Sequence, residues 1–287
     1  MARRRFAEEP NSKLAVWARR LALFAVAAAL IAVIVVRSGL IEVVPGLFTF
    51  AGALAFAVIG ILLALLSFIT IWRQGLSGVG YSVTAIIVGG LLLAYPAYLG
   101  ATAYKLPAIA DITTDILDPP AFDAIRRLRS RDTNPVQYAG LYAAERQREA
   151  YPDIAPLELT VSPKVAYDNA LALVNKRRWL IIDSREPLAG RRDGRIEAVS
   201  RTPVMGFRDD VVVRIRGNDE EARVDMRSSS RYGFHDFGSN AARIQAFLDN
   251  LEETIDAALE REERRRPAPK KSPPPKKGPQ GQPTAKR

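Results

Sequence analysis

DDVVVRIRGNDEEARVDMRSSSRYGFHDFGSNAAR, residues 209–243, is the stretch whose reading decides the fold. Two runs within it, 209–216 and 221–231, alternate apolar and polar side chains with the period of two that marks β-strands. The polar loop Gly217-Asn218-Asp219-Glu220 between them marks a hairpin. On the first strand Val211, Val213 and Ile215 share a face, and Asp210, Val212, Arg214 and Arg216 share the other. On the second, Val224 and Met226 join the apolar set, while Asp225, Arg227, Ser229 and Arg231 point opposite. One sheet face therefore takes helices. The other is a field of arginines and carboxylates, expected as an exposed face laced by cross-strand ion pairs or as a polar groove for an anionic ligand or protein partner, since Arg forks suit carboxylate and phosphate.

Working outward, strands are expected over 157–161, 179–183 and 195–201. On the last of these Ile196, Ala198 and Ser200 oppose Arg195, Glu197, Val199 and Arg201. Pro163 opens a helix to about Lys176, with Val165, Ala166, Ala170, Leu173 and Val174 on one face. Ser239 or Asn240 caps a second helix to about Glu260, whose apolar stripe is Ile244, Phe247, Leu248, Leu251, Ile255 and Leu259. The soluble fold is thus α+β, an antiparallel sheet in the order β-α-β-β-β-β-α with the helices on one face. The domain is placed at 157–260. A connector strap at 105–156 precedes it, with short helical pieces expected at 122–131 and 136–150.

Upstream the composition changes. Residues 21–36, 47–72 and 81–104 carry no charged side chain, and the second and third runs exceed the roughly 20 residues needed to cross a bilayer. Three transmembrane α-helices are expected, an anchor at 21–104 behind a basic N-terminus at 1–20. No ionisable group lies inside the spans, which argues against a transport path. Gly52, Gly60, Gly89 and Gly90 are candidate helix-packing positions. Six basic residues precede the first span, so the N-terminus is expected in the cytoplasm. The soluble domain is then expected on the periplasmic or extracytoplasmic side of the inner (plasma) membrane. The tail at 261–287 holds ten Lys or Arg against two Glu and is Pro-rich, so it is expected to be disordered. It accounts for most of the net charge of +10, and the folded part is no nucleic-acid binder by charge.

Cysteine is absent and His235 is the sole histidine, which excludes disulfides, thiol catalysis and multi-His metal centres. Ser228 or Ser230 with His235 and Asp236 is a formal triad, but those serines sit in a strand without a nucleophile-elbow glycine pattern. In the bend after the hairpin, Gly233 and Gly238 supply unusual backbone angles, and Asp236 and Asn240 are placed to cap the following helix.

The ordered pieces Asp111-Ile112-Thr113-Thr114-Asp115, Pro119-Pro120 with Phe122, Tyr151-Pro152, Gly206-Phe207-Arg208-Asp209-Asp210, and Val224 to Arg231 followed by Gly233, Asp236, Gly238, Asn240 and Arg243 are identified with a family. The chain resembles the domain-of-unknown-function 1499 family over about residues 109–256. That resemblance implies a membrane-anchored member and no established activity. The expected function is a non-catalytic binding module for an anionic ligand or protein partner, through Asp209, Asp210, Arg214, Asp225, Arg227, Ser229, Arg231, Asp236, Asn240 and Arg243. No cofactor or metal is expected; expected partners are the lipid bilayer and an envelope protein, anionic lipid or polymer. The alternatives are a hydrolase or isomerase using Asp209, Asp210, Asp225 or Asp236, and a structural assembly factor.

Overall fold

The computed structural model describes residues 9–188 and 193–265. The basic residues Arg3, Arg4 and Arg5, the turn residue Gly190 and the Pro/Lys-rich run from 266 onward lie outside the described residues.

Three long apolar helices come first: α1 (Lys13–Ser38), α2 (Val43–Gln74) and α3 (Val79–Lys105). All three are long and apolar enough to cross a bilayer. The first span, short when counted from its uncharged residues, starts a further two turns upstream and takes in Arg19 and Arg20. The Arg19 guanidinium lies 4.5 Å from the Tyr81 ring centre. Between bundled helices apolar burial gives little, because lipid is as apolar as leucine; close backbone packing through small residues does the work. Ala15, Ala18, Ala22, Ala25, Ala29 and Ala32 line the inner seam of α1, and Ala53, Ala57, Gly60 and Ala64 that of α2. A side chain at Gly60 would meet the Ala18 carbonyl oxygen at 3.2 Å, and one at Gly89 would meet Ile61 at 2.9 Å. Gly52 and Gly90, also expected at the seam, have nothing within 4 Å of a Cβ and face outward.

The soluble part is one antiparallel sheet. Its strands are β1 (Asp111–Thr113), β2 (Leu157–Leu159), β3 (Leu180–Arg185), β4 (Gly194–Arg201), β5 (Arg208–Gly217) and β6 (Ala222–Ser230). Strands β3 to β6 form the expected meander, and β1 and β2 share the far edge of β6. Gly217 closes the hairpin, since any Cβ there would lie 2.0 Å from the Glu221 carbonyl oxygen. Helices α5 (Pro163–Lys176) and α6 (Ser239–Arg265) cover one face, although Val165 and Leu259, expected on their apolar faces, are exposed and lie outside the core. The core between them holds Ile196, Val211, Val213, Ile215, Val224 and Met226 of the sheet with Val174, Ile244, Phe247, Leu251 and Ile255 of the helices.

Three expectations are corrected. Strand β1 was not foreseen: three residues are too short for a periodic signal, and it exists because β6 offers a free edge. The piece at 122–131 is a single 3₁₀ turn, Ile125–Arg127, and the next helix, α4 (Leu141–Ala150), begins five residues late. Gly140, at φ 74°, lies outside helical angles and sets that start. The charged sheet face is not exposed. Residues 115–138, following β1, lie across it and add a small apolar cluster of their own, Phe122 and Ile125 on Val199 and Val212.

Helix α1 ends against the soluble domain. Arg37 Nη1 donates to the carbonyls of Pro203 at 2.7 Å and Val204 at 3.3 Å. At the bundle's other end Asn11 pairs with Ser77.

Candidate functional site

Because successive strand residues point to opposite faces, the ten candidate residues separate into two groups.

Beneath the strap lie Asp210, Arg214, Asp225, Arg227, Ser229 and Arg231, all buried. The register sets Arg214 opposite Asp225 and Asp210 opposite Ser229. Asp225 Oδ2 accepts from Arg214 Nη2 at 3.1 Å and from Arg216 Nη2 at 2.8 Å, and its Oδ1 accepts from Arg223 Nε at 3.1 Å. Asp118 of the strap accepts from Arg214 and Arg216 in turn, at 2.9 and 3.0 Å. Asp111 takes both arms of Arg227, at 2.9 and 2.6 Å, and that guanidinium lies 4.7 Å from the Phe122 ring centre. Asp210 sits between two arginines: Arg129 Nε donates to Oδ2 at 2.6 Å, and Arg231 Nε to Oδ1 at 2.8 Å. The remaining nitrogens of Arg129 donate to the carbonyls of Asn134 and Pro135 and to Ser229 Oγ. Glu197 is fully buried and accepts from the backbone N–H groups of Asp123, Ala124 and Ile125 at 2.8–3.1 Å. It caps the 3₁₀ turn from across the interface.

The second group closes the helix-covered face. Arg243 Nη2 donates to Asp209 Oδ2 at 2.5 Å, and its Nη1 to Ser228 Oγ at 2.8 Å and Asn240 Oδ1 at 2.6 Å. Asn240 Nδ2 donates to the Ala110 carbonyl at 3.1 Å and to Ser230 Oγ at 3.0 Å. Asp236 accepts from the N–H groups of Gly238 at 3.0 Å and Asn240 at 2.9 Å, capping α6 as expected. Gly233 and Gly238 adopt φ of 79° and 80°.

Burial pushes the Asp111, Asp209 and Asp236 carboxyls up from the ordinary range, against the pull of Arg227, Arg243 and the helix-start amides respectively. At Asp115 burial also acts upward, but the N–H groups of Asp118 and Leu117, with Arg223 beside them, hold the carboxyl below that range.

Raised carboxyls are the usual mark of acid–base catalysis. Here, however, each lies in a closed donor set rather than facing a second carboxylate across an open pocket. The formal triad is not assembled. His235 Nδ1 accepts from the Phe237 N–H at 2.9 Å and its Nε2 lies 3.2 Å from the Leu106 carbonyl, while Ser228 Oγ donates to Asn240 Oδ1 at 2.7 Å. Among the described residues no three acidic or histidine side chains gather as a metal centre would require.

Sequence reasoning missed Arg129, Asp118 and Arg223 as members of the lattice, and placed Arg216 on the polar face without counting it among the site residues. The strap carboxylates Asp111, Asp115 and Asp118, opposite arginines at alternate strand positions 214, 216, 223 and 227, were a signal available in the sequence. Arg129 carried none, since its partner lies 81 residues away.

Hollows open beside the lattice, among them one of about 550 Å³ lined by Phe122, Tyr138 and Arg227. One of about 580 Å³ lies between β1, residues 134–143 and Phe234. Another of about 330 Å³ lies between the α1–α2 loop and residues 201–208.

Residues 111–251 match the model of a family described as protein of unknown function (DUF1499). No curated protein matches the chain significantly.

Proposed function

This chain is a membrane-anchored member of the DUF1499 family, and we propose that it is a non-catalytic module whose charged motif is internal and whose contacts with a ligand or partner are made by other surfaces. The observation that carries this reading is the use of both oxygens of four carboxylates at the strap interface. Both oxygens of Asp210, Asp225, Asp111 and Glu197 accept from arginines or backbone N–H groups. A general base or nucleophile needs an oxygen within reach of substrate, and a docking face needs exposed forks. The motif residues instead hold residues 111–138 on the sheet.

The test is limited proteolysis of the full chain in membranes, with crosslinking to neighbours. Arg227→Ala removes both hydrogen bonds to Asp111 and should raise cleavage within 111–138, with crosslinked partners falling only as folded protein falls. A variant that stays protease-resistant yet loses particular crosslinks would mean that the motif is a contact face.

The N-terminal basic flank supports a cytoplasmic N-terminus with the sheet domain on the extracytoplasmic side of the inner membrane. Asn11 and the sheet domain meet opposite ends of the three-helix bundle. A reporter fused after Glu260 that is active only in the cytoplasm would reverse this orientation.

A further inference from the structure

The hollow beside β1 is lined by Ile109, Ala110, Pro135, Tyr138, Tyr142 and Phe234. Its volume, about 580 Å³, falls in the range of small-molecule sites. Most polar groups on its floor are committed. Asp111 is held by Arg227, Ser229 by Arg129, and the Asn134 amide by the Ser230 and Gly233 carbonyls. Gln137 and Tyr142 are exposed, and the buried exception is the Tyr138 hydroxyl, which is shielded from water and has no hydrogen-bond partner among the described residues. Such a group is costly in a fold unless something occupies the place of its partner. Burial, reinforced by the charge of Asp111, pushes its ionisation up to about 12, so it is a neutral donor at physiological pH.

The position is equally telling. Ile109 follows the end of α3 by four residues, and at roughly 3.3–3.6 Å per extended residue the hollow stands close to the headgroup layer. His235 and Gly238 touch Leu106 there, so the bend that carries Phe234 is seated at the α3 exit. Around the mouth Phe234 is 78% exposed, Leu141 82% and Tyr142 66%. Aromatic side chains at that depth favour the interface, and grouped apolar exposure on a folded domain marks a contact site.

We propose that this hollow takes up one acyl chain of a lipid from the leaflet in which α3 ends, with the Tyr138 hydroxyl donating to an oxygen at the chain's head. The proposal rests on the reading that surfaces other than the motif do the binding. A hollow with a mainly apolar lining, four residues past the end of a membrane-length helix, favours a lipid chain over a soluble ligand.

The full-length protein is reconstituted in vesicles of phosphatidylcholine and phosphatidylglycerol containing a phosphatidylcholine with a diazirine in its acyl chain. After irradiation the adducts are mapped by mass spectrometry. Adducts are expected on Ile109, Tyr142 or Phe234, in addition to those on lipid-facing span residues such as Leu91. Ala139→Trp, at an exposed lining position, should abolish the hollow adducts and leave those on Leu91 unchanged. Tyr138→Phe should lower their yield without abolishing them. A wild-type hollow free of adducts, or adducts undiminished in Ala139→Trp, would overturn the proposal, as would photocrosslinks from position 142 to a protein chain. If the hollow stays empty while Arg227→Ala still exposes residues 111–138 to protease, the lipid inference alone falls. If Arg227→Ala leaves the strap protected, the reading of the motif falls whatever the hollow holds.

Discussion

Val211 and Val213 share one side of β5 with the core that holds Ile244 and Phe247 of α6, whereas their neighbours Asp210 and Arg214 turn to the other side and meet Arg129 and Asp118 of the strap. Both sides of the sheet are buried, by different physics. Apolar contact is non-directional and scales with area removed from water, so a helix can shift slightly on its face and lose little. The strap is held by directed hydrogen bonds between charges, each of which had to leave water. That desolvation costs several kcal/mol per ion, and the pairing does little more than offset it. What the strap face gains is register: Asp111, Asp115 and Asp118 fit one set of arginines in one alignment.

The largest effects should arise where either side loses one essential group. Phe247 is fully buried and stacks on Trp179 at 5.5 Å, and Phe247→Ala should cost about 3–5 kcal/mol. Asp225→Ala leaves Arg214, Arg216 and Arg223 without their shared acceptor and should cost a similar amount, about 3–5 kcal/mol. Urea unfolding of the full chain in micelles, followed through Trp179 with Trp17 and Trp72 changed to Phe, measures both. A loss below about 1 kcal/mol for Asp225→Ala, the range of exposed ion pairs, would erase the comparison.

A smaller change is expected at Glu197. Glu197→Gln replaces one of two accepting oxygens by a donor facing the N–H groups of the 3₁₀ turn, a loss of about 1–3 kcal/mol in the same unfolding measurement. Smaller still should be the paired change Asp111→Leu with Arg227→Leu. Removing both charges removes both desolvation penalties, so the double variant should be more stable than Arg227→Ala alone. Additive losses would show that the pair contributes net stability rather than alignment.

The last prediction concerns pH. The folded Asp115 carboxyl lies below its unfolded value, so its contribution is present above that value, about 3.9, and is lost as pH falls through the lower folded value. The wild-type advantage over Asp115→Asn should therefore be constant at neutral pH, begin to fall near pH 4 and be lost only below the folded value. An advantage that grows on acidification would reverse the sign of the shift.

Much of the fold was legible from local periodicity. The spans, the meander, α5 to the residue and the start of α6 all follow from hydrophobic spacing and caps, which act over a few residues. The faces of β5 and β6 were legible too, because alternation is strict. Whether the charged face met water was not, since strand alternation reads the same for a solvated arginine and a buried, paired one. The error of expecting helix at 122–131 has the same root. That segment's backbone N–H groups are satisfied by Glu197, more than seventy residues away, and a distant acceptor leaves no mark on local pattern.

The amino-acid sequence by itself determined that the chain is anchored by three apolar helices and carries an α+β domain with one apolar sheet face, because burial of apolar surface imposes a period that can be read along the chain. Only the tertiary structure decided that the opposite face is an interior. The partners there, Asp111 with Arg227 and Arg129 with Asp210, are 116 and 81 residues apart, and a charge becomes tolerable out of water only when its counter-charge arrives in the right orientation.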